Sequence, residues 1–160
     1  SGALANEMLH GVTFAGGKVL ELGPGTGVFT SRALEKGCLA QNMHLVEMNG
    51  TFCSSLARRF PGVNIHNISA AKIATLGIAE FETILSGLPV LSMPRHLQHA
   101  ILDGIISHLM PGGVYVQFTY GLSPPYPTCL IEELGLKWTK GPRIWRNLPP
   151  ATVYRFKPTP

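Results

Sequence analysis

The stretch VLELGPGTGVFT, residues 19–30, sets an apolar run directly against three glycines spaced two apart, Gly23, Gly25 and Gly27, and then resumes with helical spacing. A strand that turns through glycines into a helix brings bare backbone up to whatever lies beyond the strand end, and the helix start offers free N–H groups there. A P-loop is excluded, because no Lys-Ser or Lys-Thr follows the last glycine. The GxGxxG dinucleotide fingerprint is not met either, because Val28 stands where its third glycine belongs.

The same alternation continues along the chain. Spacing predicts strands at 18–22, 43–48, 63–66, 83–86 and 114–120. It predicts helices at 28–36, stopping at Gly37, at 49–60 with Asn49 as cap, and at 94–110, opening on Pro94 and ending before Pro111-Gly112-Gly113. Segment 123–128 reads as a proline-rich loop, and 136–146 and 151–157 read as strands joined tightly by Asn147-Leu148-Pro149-Pro150. Strand–helix units closed by an antiparallel pair predict a mostly parallel sheet covered on both faces. The expected fold is one Rossmann-like, doubly wound α/β domain over residues 1–160, with a seven-stranded sheet.

Composition agrees. A chain of 160 residues is one domain's worth, and 45% hydrophobic with 14% charged residues is globular rather than disordered. No apolar run is long enough to cross a bilayer, and nothing at the start reads as a signal peptide. Cys38, Cys53 and Cys129 have no CxxC spacing, so neither a disulfide framework nor a zinc cage is implied, and a cytoplasmic setting fits. No His/Cys/Asp/Glu cluster has metal-ligand spacing, and no metal is expected. The net charge of +4 is unevenly placed: no acid follows Glu133, whereas Lys137, Lys140, Arg143, Arg146, Arg155 and Lys157 do. Such a region either favours phosphate-bearing partners, lipid headgroups or nucleic acid, or is simply a solvated basic surface.

In a doubly wound sheet the ligand sits beyond the carboxyl ends of the strands. Glu47 ends the second strand about twenty residues beyond the glycines, where an acid accepts hydrogen bonds from a ribose hydroxyl pair. Glycines and Glu47 together point to a nucleoside cofactor.

Three segments, ELGPGTGVFT at 21–30, LVEMN at 45–49 and FPGV at 60–63, are similar to the cofactor half of the class I S-adenosylmethionine-dependent methyltransferases. Three more, TILSGLPVLSMP at 83–94, VQFTYG at 116–121 and RNLPPATVYRF at 146–156, resemble the bacterial phospholipid N-methyltransferases, the family of phosphatidylethanolamine N-methyltransferase. The resemblance spans essentially the whole chain. It implies S-adenosyl-L-methionine as cofactor, with Glu21, Gly23, Gly25 and Gly27 in the first turn, Glu47 and Met48 after the second strand, Ser69 and Ala70 after the third, and Ser86 after the fourth. Where that group carries Gly-Asp-Ala for the adenine amino group, this chain has Ile68-Ser69-Ala70, and a serine hydroxyl implies a weaker bond. Ser1-Gly2-Ala3-Leu4 begins near the end of the family's N-terminal segment, so a truncated start is expected.

The implied reaction places a neutral amine beside a sulfonium methyl, which needs positioning and desolvation rather than an acid–base triad. Ser86-Gly87-Leu88-Pro89 falls where related adenine N-methyltransferases carry an Asn-Leu-Pro-Tyr-like motif, so Ser86 and the Gly87 and Leu88 carbonyls are expected to orient the nitrogen. Read alone, Ser86 is a turn residue. Tyr120 is either a hydrogen-bonding or π partner of the amine or an ordinary packed aromatic. Arg143 and Arg146 are expected at a headgroup phosphate, with Trp138 and Trp145 at a membrane interface or packed in the sheet. His96, His99 and His108 ride the long helix, and His66 ends the third strand, facing the adenine or solvent. The expected partners are an aminophospholipid and the anionic inner face of a membrane, contacted peripherally. An RNA adenine acceptor is a weaker alternative, because Ser-Gly-Leu-Pro replaces Asn-Leu-Pro-Tyr; a methyltransferase-like domain that binds lipid or protein without turnover is another.

Overall fold

Val19, Leu20, Glu21 and Leu22 are all buried because their strand, β1 (Lys18–Leu22), has a parallel partner on each side. The computed structural model describes residues 1–160. The chain runs α1 (Gly2–Met8), β1, α2 (Val28–Glu35), β2 (Met43–Val46), α3 (Gly50–Arg59), β3 (Asn64–His66), β4 (Phe81–Ser86), α4 (Arg95–His108), β5 (Leu109–Thr119), α5 (Thr128–Glu133), β6 (Leu136–Ile144) and β7 (Ala151–Pro158). The seven strands form one sheet in the order β3-β2-β1-β4-β5-β7-β6. β1 to β5 are parallel, and β7 runs antiparallel between β5 and β6.

Alternate residues of each strand enter two separate cores. Leu20, Leu22, Ile84, Tyr115 and Phe156 pack with Ile101, Leu102 and Ile105 of α4 and Leu130 and Ile131 of α5. Val19, Leu45, Leu85, Val116 and Val153 pack with Leu4 and Met8 of α1, Phe29 and Ala33 of α2, and Leu56 of α3. Both faces are therefore dry, which is why the inner strands read as unbroken apolar runs.

Element ends moved where pairing overrode spacing. The helix expected to reach Met110 ends at His108, because Leu109 is already extended and pairs with Phe81. The pairing then jumps to Thr83 opposite Val114, so Pro111, Gly112 and Gly113 sit in an irregularity of β5, where proline is tolerated. Three short pieces carry too few residues to show a period: α1, a 3-10 segment at Ala70–Leu76, and α5, which follows the proline-rich loop. Tertiary contacts hold α1. Arg155 of β7 donates to the Glu7 backbone carbonyl, to Glu7 Oε1 at 3.0 Å and to the His10 carbonyl at 3.3 Å.

The three glycines answer to different demands. A Cβ on Gly23 would lie 2.7 Å from Leu88 Cδ2, and one on Gly27 would lie 2.5 Å from Phe60 and 2.9 Å from Leu56. Protein packing alone thus forbids side chains at these two positions. Gly25 has nothing within 4 Å of a Cβ, so its bareness faces open space. Under the turn, Glu21 is fully buried and its Oε2 accepts from Thr30 Oγ1 of α2 at 2.5 Å, while Oε1 has no partner. Burial outweighs that bond and raises the Glu21 carboxyl from 4.5 to about 7.

Gly27→Ala puts a methyl into Phe60 and Leu56 at a φ of +79°. It is expected to destabilise by about 2–4 kcal/mol, read by urea unfolding at unchanged m. Glu21 makes a pH-dependent contribution of known sign. Between pH 4.5 and about 7 the native state keeps a proton that the unfolded chain has released, so this contribution to stability falls as pH rises through that window. His44 and His66 act oppositely, because burial lowers both, and burial first, then the charges of His66 and Lys18, hold His44 down to about 4. The test is therefore the difference between parent and Glu21→Gln. The variant is expected to gain stability relative to the parent from pH 5 to pH 8; a constant difference across that range would clear Glu21 of the effect.

Candidate functional site

A cavity of about 390 Å³ opens beyond the carboxyl ends of the parallel strands. The first turn supplies Gly23, the end of β2 supplies Val46, Glu47 and Met48, and the segment after β3 supplies Ile68, Ser69, Ala70 and Ala71. Gly87, Leu88 and Pro89 follow β4, and Met93, Leu97 and Ile101 close the wall from the α4 side. Of the residues expected to hold a cofactor, Gly23, Glu47, Met48, Ser69 and Ala70 meet on this wall.

Glu47 organises it. Its Oε2 accepts the Gly25 N–H at 3.2 Å and its Oε1 accepts the Asn49 N–H at 2.8 Å, so one carboxylate fixes both the glycine turn and the start of α3. Asn49 then caps α3, accepting from Thr51 N–H at 2.9 Å and Phe52 N–H at 3.2 Å. Each Glu47 oxygen keeps a further lone pair for a ligand hydroxyl. The Ser69 hydroxyl accepts the Ala71 N–H at 3.3 Å, capping the 3-10 segment, and retains its own proton to donate. Met48 is 75% exposed at the cavity mouth.

The other expected residues lie elsewhere. Glu21 is beneath the turn, bonded to Thr30, and Gly27 is packed against α3. Ser86 is fully buried, and its hydroxyl accepts the Leu88 N–H at 3.2 Å. It shapes the following loop from behind and does not line this cavity.

A second cavity of about 250 Å³ is lined by Gly87 to Ser92 and by Phe118, Thr119 and Tyr120 of the β5 end. It shares Gly87, Leu88 and Pro89 with the first. The Leu88 carbonyl, expected to orient a nitrogen, is already engaged: it accepts the Val90 N–H at 2.9 Å and Gln117 Nε2 at 3.0 Å. The Gly87 carbonyl accepts nothing from the chain. Tyr120 is half exposed, with its ring edge-on to Phe118 at 5.4 Å.

Gln117 escaped the sequence reading. It is fully buried, and its amide also donates to the Phe118 carbonyl at 2.7 Å, while Oε1 accepts from Tyr115 OH, itself 2.8 Å from Tyr126 OH. The available signal was a glutamine in the middle of the otherwise apolar Val114 to Phe118 run.

Arg143 is spent largely on the protein. It donates to the carbonyls of Tyr120 and Gly121 and to Thr152 Oγ1, each at 3.3 Å, and lies over the Trp145 ring at 5.6 Å. Arg146 is exposed and unpaired. Trp138 packs edge-on to Tyr154 at 5.5 Å, whereas Trp145 is 75% exposed. His66 turns from the cavity to share a 3.1 Å hydrogen bond with His44, their rings stacked. His108 bonds the Gly104 carbonyl at 2.6 Å, and His99 is 3.6 Å from Glu133.

No family model matches the chain. Among curated proteins it is 28% identical over 145 residues to an ornithine lipid N-methyltransferase of Singulisphaera acidiphila, covering 85% of this chain and 73% of that one. Among solved structures it aligns over 99% of its length with the N-methyltransferase NodS of Bradyrhizobium japonicum in complex with S-adenosylhomocysteine, at TM-score 0.77, 12% identity and 86% of that chain. It aligns over 99% with a 1,6-didemethyltoxoflavin N1-methyltransferase of Burkholderia thailandensis, at TM-score 0.78, 17% identity and 79% of that chain. A TehB-like methyltransferase of Corynebacterium glutamicum gives TM-score 0.74 at 15% identity, over 97% of this chain and 87% of that one. The fold is that of the class I S-adenosylmethionine-dependent methyltransferases, and the chain resembles a lipid N-methyltransferase in sequence.

Proposed function

We propose that the chain is an S-adenosylmethionine-dependent N-methyltransferase whose acceptor is the primary amine of an aminolipid headgroup, of the phosphatidylethanolamine or ornithine-lipid kind. The observation that carries this reading is the pair of cavities meeting at Gly87, Leu88 and Pro89. The first suits a nucleoside. Glu47 is available for ribose hydroxyls, Ser69 and Ala70 for the adenine, and the bare Gly25 for close approach next to Gly23, with Glu21 and Gly27 supporting the turn from below. S-adenosylmethionine supplies an electrophilic methyl on a sulfonium.

The chain's own part is to hold and dehydrate the nitrogen. The unpaired Gly87 carbonyl accepts one amine N–H, and the Tyr120 ring offers a π surface beside it. Pro89, Val90, Leu91 and Phe118 make the second cavity mostly apolar, which disfavours the ammonium form. No carboxylate or imidazole lines that cavity, so the amine proton leaves to solvent rather than to a resident base. Methyl transfer then forms an N–C bond as the C–S bond breaks, with positioning providing the acceleration.

Around the second cavity, Leu91, Leu122 and Trp145 are between 53% and 75% exposed, with Lys140, Arg143 and Arg146 beside them in the chain or in contact. Leu91, Leu122 and Trp145 are connected: Leu91 approaches Gly121, Lys140 Nζ donates to the Leu122 carbonyl at 3.3 Å, and Arg143 joins Tyr120 to Trp145. Apolar side chains interleaved with cations favour peripheral contact with an anionic membrane, with Arg146 at a headgroup phosphate and Arg143 orienting the Tyr120 loop. No helix is long and apolar enough to cross a membrane.

Calorimetric titration should show binding of S-adenosylmethionine and its demethylated product. Gly25→Ala, which meets no atom within 4 Å but sits at a φ of +54°, should cost about 1–2 kcal/mol of stability, remain folded by circular dichroism and weaken that binding by about tenfold or more; a folded variant with parental affinity would remove the cofactor from this cavity. In a radiolabel assay, vesicles of phosphatidylethanolamine or ornithine lipid should accept methyl groups, with kcat/KM rising as pH approaches the amine's own pKa. Labelling of RNA and not of either lipid would overturn the aminolipid acceptor.

A further inference from the structure

A third cavity, of about 360 Å³, lies away from the other two, between the His10-Gly11-Val12 turn after α1 and the outer strands β5, β7 and β6. Its apolar floor comes from Val12, Val114 and Val116. Lys137 and Lys157 stand at its edge, and they are paired residues of adjacent antiparallel strands. Arg155 lies directly opposite Val116, so by alternation Lys157 and its partner Lys137 project on the same sheet face as that floor.

This arrangement works against stability. Like charges directly opposite across an antiparallel pair repel, and here nothing neutralises them. No carboxylate lines the cavity. Glu7 of α1 is committed to Arg155 at 3.0 Å, and no ion pair of the chain involves a lysine. Lysines on an edge strand discourage aggregation, but that purpose is met by cations spaced along the strand and does not require two facing one another over an apolar hollow.

We propose that this cavity binds an anionic amphiphile, a phosphate-type head between Lys137 and Lys157 with its apolar portion over Val12, Val114 and Val116. The head relieves the lysine repulsion, and the floor excludes water from the tail. The site lies on the α1 side of the sheet, separate from the cavities assigned to methyl transfer, and stands whether or not that assignment does.

Calorimetric titration of the protein with a short-chain phosphatidylglycerol below its micelle concentration should give a saturable heat of binding. Inorganic phosphate should bind more weakly. Lys137→Glu should weaken lipid binding about tenfold or more, and because it converts the facing lysines into an opposite-charge pair, its Tm should equal or exceed the parent's. A flat titration, or binding that Lys137→Glu leaves intact, would overturn the site. Phosphate binding as tightly as the lipid would overturn the role of the apolar floor, and a lowered Tm would overturn the repulsion argument.

Discussion

The contact of two backbone turns, the one after β1 and the one after β4, is what the rest of this site depends on. A Cβ on Gly87 would lie 2.6 Å from the Gly23 carbonyl oxygen, and a Cβ on Gly23 would strike Leu88. At Gly87 a side chain would meet backbone and force the two strand ends apart, whereas at Gly23 it would displace the Leu88 side chain. Because Gly87, Leu88 and Pro89 wall both upper cavities, that contact sets how closely anything bound on one side approaches anything bound on the other. The first turn is clamped twice more, by Gly27 against Phe60 and Leu56 and by Glu47 accepting the Gly25 N–H.

Buried polar groups carry the same function deeper into the sheet. Tyr126, Tyr115 and Gln117 form a hydrogen-bonded line that ends on the Leu88 carbonyl, and Ser86 holds the Leu88 N–H. The loop is thus fixed at both its amide and its carbonyl by groups that never meet solvent. Satisfied networks of this kind rigidify what they hold, since breaking any bond leaves a buried polar atom unpaired. Glu21, Glu82 and Gln98 each leave one buried oxygen unpartnered, and at Glu21 burial raises the carboxyl toward neutrality.

The basic C-terminal third divides between two surfaces. Arg143, Lys140 and Arg146 lie by the exposed Leu122 and Trp145 at the upper end, whereas Lys137 and Lys157 flank the groove by α1. An antiparallel hairpin has two ends and two faces, so one run of cations in sequence serves separate places in space.

Much of this was legible in order. Spacing determined the seven strands, the two covered faces and the antiparallel closure, because a buried parallel strand must be apolar throughout and a helix needs an apolar stripe. The glycine turn, Glu47 and the segment at 86–89 were marked as the site because strand ends are where such sheets hold ligands. What the sequence left undecided was which way each group faces. Only the folded chain showed that Gly23 and Gly27 are bare for packing and Gly25 for open space, that Ser86 faces inward, that the Leu88 carbonyl is taken by Gln117, and that Arg143 is tied to the Tyr120 loop. The reason is that periodicity reports burial and secondary structure, which are local, whereas hydrogen-bond partners and close approaches join residues far apart in the chain and exist only once the strands are side by side.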